Sequence, residues 1–133
     1  MKILVDTNRI IAALVQESTT RDILFDENFE FLTPDYTITE IEEHKKELKK
    51  KTKLTDEEFE ILLTLIFERI DIIPKPEYGS FLDESKNLIS DPDDVPHLAA
   101  CLAIKAEGIW SHDSHFFEQN KVKIFTNKDL LDM

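Results

Sequence analysis

The sequence predicts an α/β domain built on a central, mainly parallel five-stranded sheet flanked by helices. Three observations predict it. Short apolar runs alternate with longer stretches of helical periodicity along the whole chain. The first of these runs, Ile3-Leu4-Val5, has no polar position, as a strand covered on both faces requires. A length of 133 residues with 41% apolar content suits one core, so residues 1–133 read as a single domain.

The elements follow in order. Lys2 to Val5 reads as a buried strand that stops at Asp6. Ile10, Ile11, Ala13, Leu14 and Val15 mark a helix, and Ile23, Leu24 and Phe25 a second short one over about residues 20–26. Phe29 to Leu32 reads as a strand ending before Thr33-Pro34. Residues 36–51 turn helical, with a thin stripe of Ile38, Ile41 and Leu48 that leaves most of the helix exposed. Thr55 and Glu58 form a capping box for a helix carrying Phe59, Leu62, Leu63, Ile66, Phe67 and Ile70. Ile61 and Leu65 lie off that stripe, which points to a sandwiched helix or an oligomer contact. Asp71 to Ile73 reads as a third strand, and about residues 80–89 as one helix. Asp91-Pro-Asp-Asp94 opens a helix with Pro96 in its first turn and an apolar stripe of Val95, Leu98, Ala99, Leu102, Ala103 and Ala106. Gly108 is placed to terminate it. Ile109-Trp110 reads as a fourth strand, residues 122–125 as a fifth, and the tail as a last helical turn.

Composition removes several classes of function. The only glycines are Gly79 and Gly108, so no glycine-rich phosphate loop exists. A formal net charge of −12 argues against a basic, sequence-blind nucleic-acid binder, although local charge can still build a site. Cys101 is the single cysteine, which excludes an intrachain disulfide and suits a reducing, cytoplasmic compartment. The first apolar run is too short for a signal peptide, and no stretch is long enough to cross a bilayer, so no membrane association is expected.

Ligands in open parallel sheets sit outside the carboxyl ends of the strands. Asp6 and Asp113 stand at or just past strand ends, and Glu40 and Asp94 at helix starts that open on the same edge. Asp93 adjoins Asp94, but neighbouring helix residues point different ways, and Asp94 lies beside the apolar stripe. Converging carboxylates suit a hard cation, Mg²⁺ or Mn²⁺, able to polarise a phosphoryl oxygen.

Four segments carry a resemblance. Ile3-Leu4-Val5-Asp6-Thr7-Asn8, Thr37-Ile-Thr-Glu40-Ile41, Asp91-Pro-Asp-Asp94-Val-Pro-His97 and Ile109-Trp-Ser111-His-Asp113-Ser-His115 resemble, in order and spacing, the acidic motifs of PIN-domain nucleases, including the VapC-like toxins of toxin–antitoxin pairs. Phe125 to Leu131 is also similar to the family's close. The resemblance implies a three-layer PIN-like domain and a Mg²⁺- or Mn²⁺-dependent endoribonuclease, with an antitoxin protein and a second copy as partners. It implies catalytic roles for Asp6, Glu40, Asp94 and Asp113, with Asp6, Asp94 and Asp113 on the metal. Asn8 and Ser111 fall where the family places polar support for the metal. Glu43, one turn beyond Glu40, competes for the second acid's role, as Asp93 does for that of Asp94.

Other residues have two readings each. Lys45, Lys46, Lys49 and Lys50 form either a solvated helix end or a rim that contacts RNA. His97 and Cys101 are spaced i, i+4, as a soft-metal pair or as buried core residues. His112 and His115 flank Asp113 and read as structural histidines before substrate contacts, and Trp110 as strand core. A phosphatase using Asp6 as nucleophile would need a second aspartate at position 8, where Asn8 stands. The remaining alternative is a PIN-like binding module that acts through a protein partner with little catalysis.

Overall fold

Ile3, Leu4 and Val5, all fully buried, form strand β1 (Lys2–Val5) at the centre of the sheet. The structure, a computed structural model, describes residues 1–15 and 18–133. β1 pairs on one side with β2 (Glu30–Pro34), which pairs with β3 (Ile70–Ile73). On its other side β1 pairs with β4 (Gly108–Trp110), followed by β5 (Lys123–Phe125). The order is β3-β2-β1-β4-β5 and every pairing is parallel. The register sets Leu4 opposite Leu32 and Ile109, and Val5 opposite Trp110.

Alternation along the strands divides the core in two. Ile3, Val5, Phe31, Trp110 and Phe125 face one way, against α1 (Thr7–Val15), α2 (Ser18–Leu24), α3 (Tyr36–Lys51), α4 (Asp56–Glu68) and α8 (Asn127–Leu131). Leu4, Leu32 and Ile109 face the other way, against α5 (Lys75–Tyr78) and α7 (Val95–Ile104), with α6 (Leu82–Lys86) alongside. The result is the expected three-layer domain: helices, a parallel sheet, helices.

Local signals act where the sequence places them. Glu58 N–H donates to Thr55 Oγ1 at 3.1 Å and Thr55 N–H to Glu58 Oε1 at 2.9 Å, closing the capping box of α4. Thr126 and Asp129 make the same reciprocal pair at α8. Phe59 and Ile66 of α4 are buried, whereas Ile61 and Leu65 stand exposed at 54% and 45%. Trp110 is fully buried and donates its Nε1–H to Asn127 Oδ1 at 2.8 Å, as a core residue tied to α8.

Ile70, expected on the stripe of α4, instead opens β3, because α4 ends at Glu68 with Arg69 as its C-cap. Two further local expectations are corrected. The helix expected over about residues 80–89 is instead α5, a 3₁₀ turn at Gly79–Phe81, and α6 ending at Lys86. Tertiary contact overrides periodicity here: Tyr78 is buried, and its hydroxyl donates to Asp35 Oδ1 at 2.5 Å, anchoring the segment beside β2. The second correction is the end of α7, which Gly108 does not terminate and which stops short of Ala106. That helix ends at Lys105, whose φ of 54° makes it the only non-glycine residue in the left-handed region among the described residues.

Gly108 lies in β4 for another reason. A Cβ there would sit 2.5 Å from the Lys123 carbonyl oxygen and 2.6 Å from Phe125 Cε2. Both neighbours belong to β5, so a side chain would push apart two paired strands. Gly108→Ala is expected to destabilise the protein by about 2–3 kcal/mol, the usual scale of overpacking. Thermal denaturation checks it, and an unchanged melting temperature would refute the account.

Candidate metal centre

The strand order changes direction at β1: the chain moves to β2 on one side and later returns to β4 on the other. The carboxyl ends of β1 and β4 therefore flank a crevice of the kind that binds ligands in parallel sheets. Asp6 follows β1, and its N–H donates to the Trp110 carbonyl at 3.0 Å. Ser111 follows β4, and its N–H donates to the Phe125 carbonyl at 3.1 Å. Both side chains are buried. Ser111 Oγ donates to Asp6 Oδ2 at 2.7 Å and accepts the Asp113 N–H at 2.9 Å, so one hydroxyl couples the two acids. Asp113 in turn caps the 3₁₀ helix Ser114–Glu118, its Oδ1 accepting the His115 N–H at 2.9 Å.

The third acid comes from the entry to α7. Asp91 Oδ1 accepts the Asp93 N–H at 2.9 Å, and the Asp91 carbonyl accepts the Asp94 N–H at 3.0 Å. This turn delivers Asp94 to the crevice with 5% of its surface exposed. Asp94 Oδ2 is buried with no hydrogen-bond partner. Burial, then the charges of Asp113, Asp6 and Asp91, push the Asp94 carboxyl up to about 8. Ligand atoms of Asp91, Asp94, Asp113 and His115 all lie within 4.8 Å of one another. A buried carboxylate oxygen without a donor, among further carboxylates, is the environment that a divalent cation relieves, and the mostly oxygen donor set fits a hard ion. Asp6 lies outside this group of four and joins it through Ser111.

Glu40 reaches the crevice from the second turn of α3. Thr7 Oγ1 donates to Glu40 Oε1 at 2.7 Å, while burial raises the Glu40 carboxyl above its ordinary range. Beneath it lies a buried polar network. Thr7 Oγ1 is 2.9 Å from Thr37 Oγ1 and 3.0 Å from His97 Nε2, and Thr33 Oγ1 donates to the Val5 carbonyl at 2.9 Å. His97 Nε2 also lies 4.0 Å from Asp6 Oδ1. Thr7 and His97 thus connect Glu40 to the Asp6 side of the crevice.

The competing acids are placed differently. Glu43 is exposed, one turn beyond Glu40. Asp93 is exposed and accepts the Tyr36 hydroxyl at 2.5 Å. Asn8 is exposed beside Asp6. His97 and Cys101 do not converge as a soft-metal pair: His97 faces Thr7 and Thr37, and Cys101 is buried in the α7 core with its thiol pushed up to about 12 by burial. On α3, Lys45 and Lys49 both pair with Glu60 of α4, at 2.9 and 3.3 Å. With Lys46, Lys50, Glu42 and Asp56 they line a groove of about 550 Å³.

A family model described as PIN domain matches residues 4–128. The chain belongs to the PIN-domain family. No curated protein gives a significant match. Among solved structures, a chain of VapBC2 from Rickettsia felis, crystallised with a DNA fragment from the promoter of the pair, has the same fold. It aligns with a TM-score of 0.70 and 18% identity, covering 95% of this PIN domain and 98% of that chain. The fold is thus VapC-like.

Asp91 and His115 were not among the expected site residues of this PIN domain, nor were Thr37 and His97. A run of three acids within Asp91–Asp94, and a histidine two residues after Asp113, were the only linear signals for the first pair. Thr37 and His97 gave no linear sign of meeting each other, because 60 residues separate them and only the approach of α3 to α7 brings Thr37 Oγ1 within 3.1 Å of His97 Nε2.

Proposed function

We propose that this PIN domain is a divalent-metal-dependent endoribonuclease, using Mg²⁺ or Mn²⁺, and that it is the toxin of a toxin–antitoxin pair. One observation carries the reading: Asp94 and Asp113 converge, with Asp6 joined through Ser111, around a buried Asp94 oxygen that has no hydrogen-bond partner. Asp6, Asp94 and Asp113 hold the ion. When bound, it supplies positive charge to the scissile phosphate and acidity to the attacking water. Glu40, held by Thr7, orients that water and takes up its proton, a role suited to a carboxylate raised by burial. Ser111 fixes the Asp6 carboxylate, and His97 with Thr37 fixes Thr7.

The exposed residues of α3, Lys46 and Lys50, contact the RNA backbone, while Lys45 and Lys49 are largely neutralised by Glu60. An antitoxin as partner is supported by the likeness to VapBC2, itself a complex on promoter DNA. The exposed Ile61 and Leu65 of α4 support a protein contact, with antitoxin or with a second copy. Among the described residues no helix is long and apolar enough to cross a membrane.

Metal-linked stability tests the reading. An ion bound only by the folded state at about a hundred times its Kd stabilises by about 2.7 kcal/mol. Thermal melts with Mn²⁺ are expected to show that gain in the wild type and little of it in Asp113→Asn, with RNA cleavage in Mn²⁺ that stops on chelation. No Mn²⁺ stabilisation and no cleavage would replace the reading with that of a binding module.

A further inference from the structure

Asp91 and His115 have no role in the chemistry above, yet they complete the group of four. His115 Nδ1 lies 3.2 Å from Asp113 Oδ1, 3.5 Å from Asp91 Oδ2 and 3.7 Å from Asp94 Oδ2. Around an octahedral ion with bonds of about 2.1 Å, neighbouring ligand atoms stand about 3 Å apart and opposite ones about 4 Å. The four donors, all within 4.8 Å of one another, span little more than one such shell. The buried Asp94 Oδ2, without a hydrogen-bond partner and 3.7 Å from His115 Nδ1, is the second sign that a cation belongs there.

The position of His115 follows from the backbone. Asp113 caps the 3₁₀ helix by accepting the His115 N–H, which fixes the two residues relative to each other. Asp91 is fixed by its own turn, accepting the Asp93 N–H. His115 is 52% exposed at its side chain, so its ring faces the open side of the crevice and can adjust to an ion.

We propose that His115 is a direct nitrogen ligand of the bound ion and Asp91 a further oxygen ligand, so that this centre selects Mn²⁺ over Mg²⁺. The inference rests on the metal-dependent reading and names its metal preference. Imidazole binds first-row transition ions well, whereas Mg²⁺ gains little from a nitrogen donor and retains water in its place. Three carboxylates alone discriminate weakly between two hard divalent ions. The added imidazole separates them.

Calorimetric titrations of the full chain with Mn²⁺ and with Mg²⁺, in wild type, His115→Ala and Asp94→Asn, test the proposal. His115→Ala is expected to weaken Mn²⁺ binding by about tenfold or more and Mg²⁺ binding by less than about threefold. Pulsed electron paramagnetic resonance of the Mn²⁺-bound wild type should show nitrogen couplings that disappear in His115→Ala. Equal losses for the two ions, or couplings that persist in the variant, would overturn the selectivity while leaving the metal centre in place, provided Asp94→Asn abolishes both bindings. A wild type that binds neither ion would overturn both this inference and the function it rests on.

Discussion

Asp6→Asn is expected to reduce RNA cleavage by about a thousandfold or more, the scale on which loss of a charge at a metal-assisted phosphoryl centre acts. The metal-free variant should melt no lower than the wild type. The two halves of this result have one cause. Asn is the isostere of Asp and keeps an oxygen to accept the Ser111 hydroxyl, now 2.7 Å from Asp6 Oδ2. The backbone bond from the Asp6 N–H to the Trp110 carbonyl does not involve the side chain. The substitution therefore leaves β1 and its packing intact, while removing a negative charge that acts unfavourably on Asp94. Cleavage measured on a labelled RNA with Mn²⁺, beside a melting curve of the same preparation, checks both halves. Undiminished metal-dependent cleavage would sink the assignment of Asp6. A large drop in melting temperature would mean that lost activity reflects unfolding.

Asp94→Asn is expected to stabilise the metal-free protein at pH 8 and to do so far less at pH 5. In the unfolded chain an aspartate ionises near pH 3.9. In the folded protein burial, with the charges of Asp113, Asp6 and Asp91, holds Asp94 up to about 8. Below about pH 4 the group is protonated in both states and imposes no pH-dependent penalty. As the pH rises from 4 to 8 the unfolded state gains the charged form freely while the folded state resists it, so the contribution to stability falls through this window. Above about 8 the penalty is complete, on the order of 2–5 kcal/mol for a buried group shifted this far. Asn keeps the shape, carries no charge and can donate to the neighbouring carboxylates, so its advantage grows with pH. Melting curves of both proteins at pH 5, 6.5 and 8 with chelator present test this. The same advantage at every pH would refute it. With Mn²⁺ added at pH 8 the order should reverse, since the ion favours the carboxylate and the variant has lost a ligand.

These results bear on how this protein is organised. The expected penalty on metal-free stability falls on Asp94, a residue proposed to hold the ion, at one end of the sheet. The rest of the domain is conventional: two apolar layers on a parallel sheet, with helices closed by capping boxes at Thr55 and Thr126. Gly108 belongs to this structural class, since its lack of a side chain permits the close approach of β4 and β5.

Much of this was legible in the linear chain. Ile3-Leu4-Val5 without a polar position required burial on both faces, and hence a parallel sheet between helix layers. Strand ends are marked by the first acid after an apolar run, so Asp6 and Asp113 could be placed at the carboxyl edge. The capping box at Thr55 could be read because both of its halves lie within four residues. The PIN-domain resemblance followed from the order of four such local segments. In contrast, the linear pattern ran α7 on toward Gly108, where the chain instead turns at Lys105, and read residues 80–89 as one helix, in a segment that Tyr78 ties to Asp35, 43 residues away.

The sequence by itself determined that this is a parallel α/β domain with acids at one sheet edge, because burial periodicity and capping act over a few residues. Only the tertiary structure decided which acids meet. It turned Asp94 inward and left Asp93 with Tyr36, set Glu40 against Thr7 and left Glu43 at the surface, and brought ligand atoms of Asp91 and His115 within 4.8 Å of those of Asp94 and Asp113. Convergence depends on how β1, α3, α7 and the turn after β4 pack on one another, and those contacts join residues dozens of positions apart.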